Sequence, residues 1–153
     1  SRVRRQRQMC IRDRSKCFEE LILHKVDLSG VILKPNMILP GTHSKDKIAS
    51  EEVSQKTLEC LKNVVPSEVP GIAFLSGGQS EIEATENLNL ISKNNKTDFI
   101  MTFSYGRALQ QSALKEWSKN TNNIEATQNI FNHRAKMCSL AAQGKWYYEL
   151  ENK

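Results

Sequence analysis

Three short apolar runs, each halted by turn-forming residues and each followed by a helix-length amphipathic stretch, restrict what this chain can fold into. The first is Gly30-Val31-Ile32-Leu33, ended by Lys34-Pro35-Asn36-Met37. The second is Gly71-Ile72-Ala73-Phe74-Leu75, which runs into Ser76-Gly77-Gly78-Gln79-Ser80. The third is Asp98-Phe99-Ile100-Met101-Thr102-Phe103, followed by Ser104-Tyr105-Gly106-Arg107. Runs of about four to eight residues, mostly apolar and bounded by glycine, proline and serine, read as strands buried on both faces, as in parallel sheets. The strand ends at Lys34, Ser76 and Ser104 are 42 and 28 residues apart. Each gap has room for a crossover helix, so the strands should be parallel neighbours with their C-terminal ends on one side.

The intervening segments carry helical periodicity. Phe18, Leu21, Ile22 and Val26 form one stripe, and Val53, Thr57, Leu58 and Leu61 another, ended by Pro66. Ser50 is the expected N-cap of that second helix, with Glu51 and Glu52 where the dipole favours acids. Ser80 and Glu83 have capping-box spacing, so a helix starts there and continues through Ala84, Leu88 and Ile91. Ala108, Leu109, Ala113, Leu114 and Trp117 carry a further helix. A last one opens near Asn122, is expected to bury Ile124, Phe131, Ala135, Cys138 and Ala142, and ends at Gly144. Pro40-Gly41-Thr42-His43-Ser44 reads as an open loop.

The 153 residues suit one ordinary domain and fall short of a complete eight-stranded α/β barrel, which takes roughly 250. Net charge is +5 with pI near 9.1, but residues 1–16 alone hold +6 and the remainder −1, so the charge does not argue for a nucleic-acid partner. Residues 1–15 show no helical or strand period and read as a disordered basic extension of non-native origin, ahead of a body spanning 16–153. Cys10, Cys17, Cys60 and Cys138 have neither C-x-x-C spacing nor ligand spacing with His24, His43 or His133. No metal site or disulfide framework is expected, and free thiols suit the cytoplasm. No run approaches the ~18 apolar residues of a membrane span.

Chemistry concentrates at the three strand ends. A lysine closing a buried strand is costly as an ammonium unless it is paired, and desolvation favours the neutral amine that attacks carbonyls. A lysine that merely reaches to water is the plainer reading of Lys34 taken alone. Ser76-Gly77-Gly78 lies between a strand and a helix start, where backbone N–H groups can surround an anion, although glycine there also has a purely geometric use. Arg107 adds a planar cationic fork to the next turn. Together these features suggest a carbonyl compound that carries phosphate.

Leu33-Lys34-Pro35-Asn36-Met37, Phe74-Leu75-Ser76-Gly77-Gly78-Gln79-Ser80 and Phe103-Ser104-Tyr105-Gly106-Arg107-Ala108-Leu109-Gln110 closely resemble late-barrel motifs of the class I, Schiff-base-forming fructose-bisphosphate aldolases. The resemblance implies an α/β fold: the C-terminal three βα units of a TIM (β/α)8 barrel plus a C-terminal helix, an incomplete barrel. It implies a lyase of glycolysis and gluconeogenesis that needs no cofactor, acts on sugar phosphates and assembles as a homotetramer. By the same resemblance Lys34 forms the iminium with the ketose C2 carbonyl, and Leu75, Ser76, Gly77, Ser104, Gly106 and Arg107 hold the phosphate next to C1. The family's proton-transferring aspartate, second lysine and glutamate belong to upstream strands that these residues do not include. Tyr147 and Tyr148 lie too soon after Gly144 to match the family's tail tyrosine. Two rival readings are another Schiff-base barrel aldolase for a different phosphorylated ketose and a non-catalytic homologue that only binds phosphosugars.

Overall fold

The three apolar runs form one parallel sheet in the computed structural model, which describes residues 2–41 and 48–152. Strands β1 (Ile32–Leu33), β2 (Gly71–Phe74) and β3 (Ile100–Phe103) lie side by side in that order. Ile32 pairs with Gly71 and Gly71 with Ile100, so the strand starts are level across the sheet. Helix α2 (Ser50–Val64) connects β1 to β2, and α3 (Glu81–Asn94) connects β2 to β3. Helices α4 (Arg107–Lys119) and α5 (Ile124–Ala142) follow. This is the α/β arrangement expected for successive βα units.

The sheet is buried on one face only. Ile72, Phe74 and Met101 point into a core shared with Val53 and Leu61 of α2 and with Leu88 and Ile91 of α3. Side chains alternate along a strand, so the neighbours in register face the other way. There Ile32 is 66% and Ile100 70% exposed, flanking Gly71. The expectation of strands covered on both faces therefore fails, because an apolar run looks the same whether one or both of its faces are packed.

Helix α1 (Arg2–Leu23) is regular from Arg2, where composition led us to expect no structure. Its anchor lies further along the chain. Phe18 is buried in the core, and Arg14 donates from Nη2 to Asn36 O at 2.6 Å and from Nη1 to Cys60 Sγ at 3.2 Å. Lys16 pairs with Glu19 and Glu20 one turn on, and arginine is itself a good helix former. A search for an apolar face does not register such a helix.

The Ser80–Glu83 capping box is formed as the spacing predicts. At α2 the N-cap is Ala49, which makes no side-chain bond, so Ser50 is already inside the helix. Helix α5 buries Arg134, Met137, Cys138 and Ala141, while Ile124 and Phe131 are exposed. An inward-facing arginine breaks the apolar stripe that hydropathy follows. Gly144 adopts φ 68°, and its N–H donates to Ala141 O at 2.9 Å, ending α5 as its sequence suggests. Thr42, His43 and Ser44 of the expected open loop lie outside the described residues.

Candidate functional site

Two backbone hydrogen bonds extend the sheet past its last paired residues. Leu75 N–H donates to Pro35 O at 3.0 Å, and Ser104 N–H donates to Phe74 O at 2.8 Å. They fasten the three strand ends to one another, so Lys34, the turn at 75–79 and the turn at 104–107 share one edge of the sheet. Lys34 is exposed there, as the plainer reading of a lysine that reaches to water has it. The cause is again the uncovered face of the sheet.

The glycine turn is built around left-handed backbone. Gly77 has φ 61° and Gly78 φ 83°, conformations that cost other residues energy. A Cβ on Gly77 would overlap the carboxamide of Asn36, so the turn rests directly on the residue that follows Pro35. Gln79 folds back over the same turn. Its backbone N–H and its Nε2 both donate to Ser76 O, at 3.1 and 2.8 Å, and its Oε1 accepts from Asn87 Nδ2 at 2.6 Å.

The two helix starts differ in what they offer an anion. At α3 a capping box serves two of the amides: Ser80 Oγ accepts from Glu83 N–H at 3.2 Å, and Glu83 Oε2 accepts from Ser80 N–H at 3.0 Å. The Glu83 carboxylate stands where an anion would sit. At α4 the N-cap is Gly106, which makes no side-chain cap bond, and exposed Arg107 is the first helical residue. Unsatisfied amides, a helix dipole and a guanidinium coincide there, a combination that attracts phosphate. The glycine turn can contribute its own loop amides, beside a helix start where the Glu83 carboxylate competes with an anion.

Helix α3 also braces the second turn. Tyr105 is buried and donates its hydroxyl to Ala84 O at 2.8 Å. Burial drives its phenol far above the ordinary range, with the nearby Cys138 sulfur adding to the effect, so it remains a donor. Glu81 accepts from Ser112 N–H at 2.9 Å, tying α4 to α3. Sequence reasoning missed Gln79, Asn87, Tyr105 and Glu81 as parts of the site. The first and third stand inside the quoted motifs, whereas Asn87 and Glu81 have no signal beyond being polar residues on helix faces.

A lysine, a glycine turn and a helix-start arginine lie together at the C-terminal edge of parallel strands, the edge at which α/β barrels carry their active sites. The family model for class-I fructose-bisphosphate aldolase, the glycolytic type, matches residues 4–153. The chain belongs to that family. It is 47% identical over 129 residues to cytosolic fructose-bisphosphate aldolase 4 of Arabidopsis thaliana, covering 84% of this chain and 33% of that relative. Chloroplastic fructose-bisphosphate aldolase 1 of Pisum sativum is 45% identical, over 90% of this chain and 38% of the relative. The structure also matches fructose-bisphosphate aldolase from Plasmodium falciparum, solved in complex with TRAP and a small molecule inhibitor. The TM-score is 0.92 at 36% identity, covering 97% of this chain and 43% of that one. The chain thus spans 33% and 38% of the length of these two curated relatives. Among the described residues, no helix is long and apolar enough to cross a membrane.

Proposed function

We propose that this chain supplies the nucleophile and the C1-phosphate site of a fructose 1,6-bisphosphate aldolase, with the barrel completed by upstream βα units. The observation that carries the reading is the pair of bonds from Leu75 to Pro35 and from Ser104 to Phe74, which bring Lys34 to the same edge as both turns. Lys34 Nζ would attack the C2 carbonyl, and loss of water would give an iminium. The C3–C4 bond then breaks as the C4 hydroxyl loses its proton. Its electron pair becomes the C2–C3 double bond of an enamine, and glyceraldehyde 3-phosphate departs. Protonation at C3 and hydrolysis release dihydroxyacetone phosphate and regenerate the amine. Every step can run in reverse.

In this reading Leu75, Ser76 and Gly77 line one side of the C1 phosphate, and Ser104, Gly106 and Arg107 line the other. The open start of α4 would contribute most, because charge-assisted bonds from a guanidinium add to a helix dipole. Proton transfer falls to groups on the upstream strands. A homotetramer in the cytoplasm completes the proposal, supported by the family resemblance and by buried thiols at Cys60 and Cys138. Its relatives include cytosolic and chloroplastic enzymes.

The test is imine trapping in the completed barrel. Borohydride added with dihydroxyacetone phosphate should fix a stable mass on the peptide containing Lys34. Labelling at another lysine, or none, would remove Lys34 from the chemistry.

A further inference from the structure

We propose that Gln79, held from behind by Asn87, is a positioning residue that aims the Gly77 N–H at the substrate phosphate. The proposal rests on the reading of the site given above and adds a pair of residues to it. Its basis is peptide geometry. In a trans peptide the C=O of one residue and the N–H of the next point in opposite directions. Ser76 O is pinned by two donors from Gln79, the backbone N–H at 3.1 Å and Nε2 at 2.8 Å. The Gly77 N–H is therefore turned away from Gln79. The left-handed φ of Gly77 is part of the same arrangement.

Without a second tie the Gln79 side chain would be free to leave. Asn87 provides it, donating from Nδ2 to Gln79 Oε1 at 2.6 Å from a position on α3 that is 5% exposed. The Gln79 Nε2 also lies 3.6 Å from Met37 Sδ, in the segment after Lys34. One carboxamide thus touches the lysine-bearing segment, the glycine turn and α3. A donor fixed before the substrate arrives needs no reorganisation when it binds.

The experiment uses the chain joined to the upstream barrel units of a relative, with Gln79→Met, Gln79→Glu and Arg107→Ala compared against the parent. Gln79→Met keeps the length and removes both side-chain bonds. Gln79→Glu keeps the acceptor for Asn87 and places an oxygen against Ser76 O. Steady-state kcat and KM are measured with fructose 1-phosphate and with unphosphorylated fructose, and inhibition by inorganic phosphate is followed alongside. Both Gln79 variants should weaken fructose 1-phosphate and inorganic phosphate by about 3- to 10-fold, the range for one neutral hydrogen bond, and change fructose by less than about twofold. Thermal melts check folding, and if the methionine variant does not fold the glutamate variant carries the test. Equal losses on both ketoses, or no loss while Arg107→Ala remains selective for phosphate, would overturn the role of Gln79 and leave the site standing. Equal losses on both ketoses in the Arg107→Ala control would instead overturn the site itself, and the proposal with it.

Discussion

Glu151→Ala should release the C-terminal segment from the body of the protein. After α5 the chain turns back, and a 3-10 turn at Tyr148–Asn152 places Glu151 against the helix it has just left. Arg134 grips both carboxylate oxygens, from Nη1 at 2.8 Å and from Nη2 at 2.7 Å, and Nη2 also reaches Thr85 Oγ1 at 3.1 Å. The indole N–H of Trp146 adds a third bond to Glu151 at 2.7 Å. The two charged side chains are only 5% and 9% exposed. Removing the carboxylate would leave a guanidinium buried without its counter-charge, which costs on the order of 3 to 5 kcal/mol. A convenient reporter is the Trp146 backbone N–H, which donates to Asn89 Oδ1 at 3.0 Å. If the segment opens locally, its protection against hydrogen exchange should fall roughly 10²- to 10⁴-fold. The double variant Arg134→Leu/Glu151→Leu should recover most of that protection, because an apolar pair of similar size avoids the desolvation of two charges. Protection in Glu151→Ala within about threefold of the parent would refute the reasoning, since so small a change corresponds to less than 1 kcal/mol.

The same link fixes a pH response. Burial alone would raise the Glu151 carboxyl, but the bonds from Arg134 and Trp146 outweigh it and hold the group below the ordinary carboxylate range. A lowered folded value gives stability that is complete above the unfolded value of ~4.3 and is lost as pH falls through the folded one. Trp146 protection should therefore stay level on acidification to about pH 5 and drop only below about 4; protection that already falls between about pH 7 and 5 would contradict this. Gly77→Ala should cost about 1 to 3 kcal/mol and weaken phosphate binding in the completed barrel, because it combines a left-handed backbone with overlap on Asn36; unchanged melting and inhibition would show that the turn has slack. The 153-residue chain alone should show no aldolase turnover and should self-associate, because Ile32 and Ile100 leave an apolar sheet face open. Robust cleavage of fructose 1,6-bisphosphate by that chain, monomeric in solution, would contradict this account.

The sheet and its order were legible because three apolar runs with turn residues behind them leave little choice of topology. The position of Lys34 at the strand-end edge followed from the same pattern. The open second face of the sheet did not, because whether that face is covered depends on residues far away in sequence or on another chain. Helix α1 escaped notice for a related reason. Its hold on the body comes from Phe18 and from Arg14 bonded to Asn36 O and Cys60 Sγ, contacts between distant segments that composition does not record. The inward face of α5 was misplaced because Arg134 sits in it, and a hydropathy stripe treats arginine as solvent-facing.

The phosphate turns show how far a motif can be read and where it stops. Ser80 and Glu83 and Gly106 and Arg107 both look like helix starts beside a strand end, and sequence alone ranks them equally as anion sites. The capping box changes that ranking. A glutamate carboxylate bonded to the Ser80 N–H makes the α3 start a poor place for phosphate, whereas the glycine before α4 brings no side chain to compete with a ligand. Sequence spacing already contained the capping box, so the difference was available in principle. What it lacked was the fate of the glycine turn between them, where Ser76 O is pinned by Gln79 and Asn36 lies beneath Gly77. Those contacts turn a flexible glycine pair into a fixed turn, and the second joins residues more than forty positions apart in the chain.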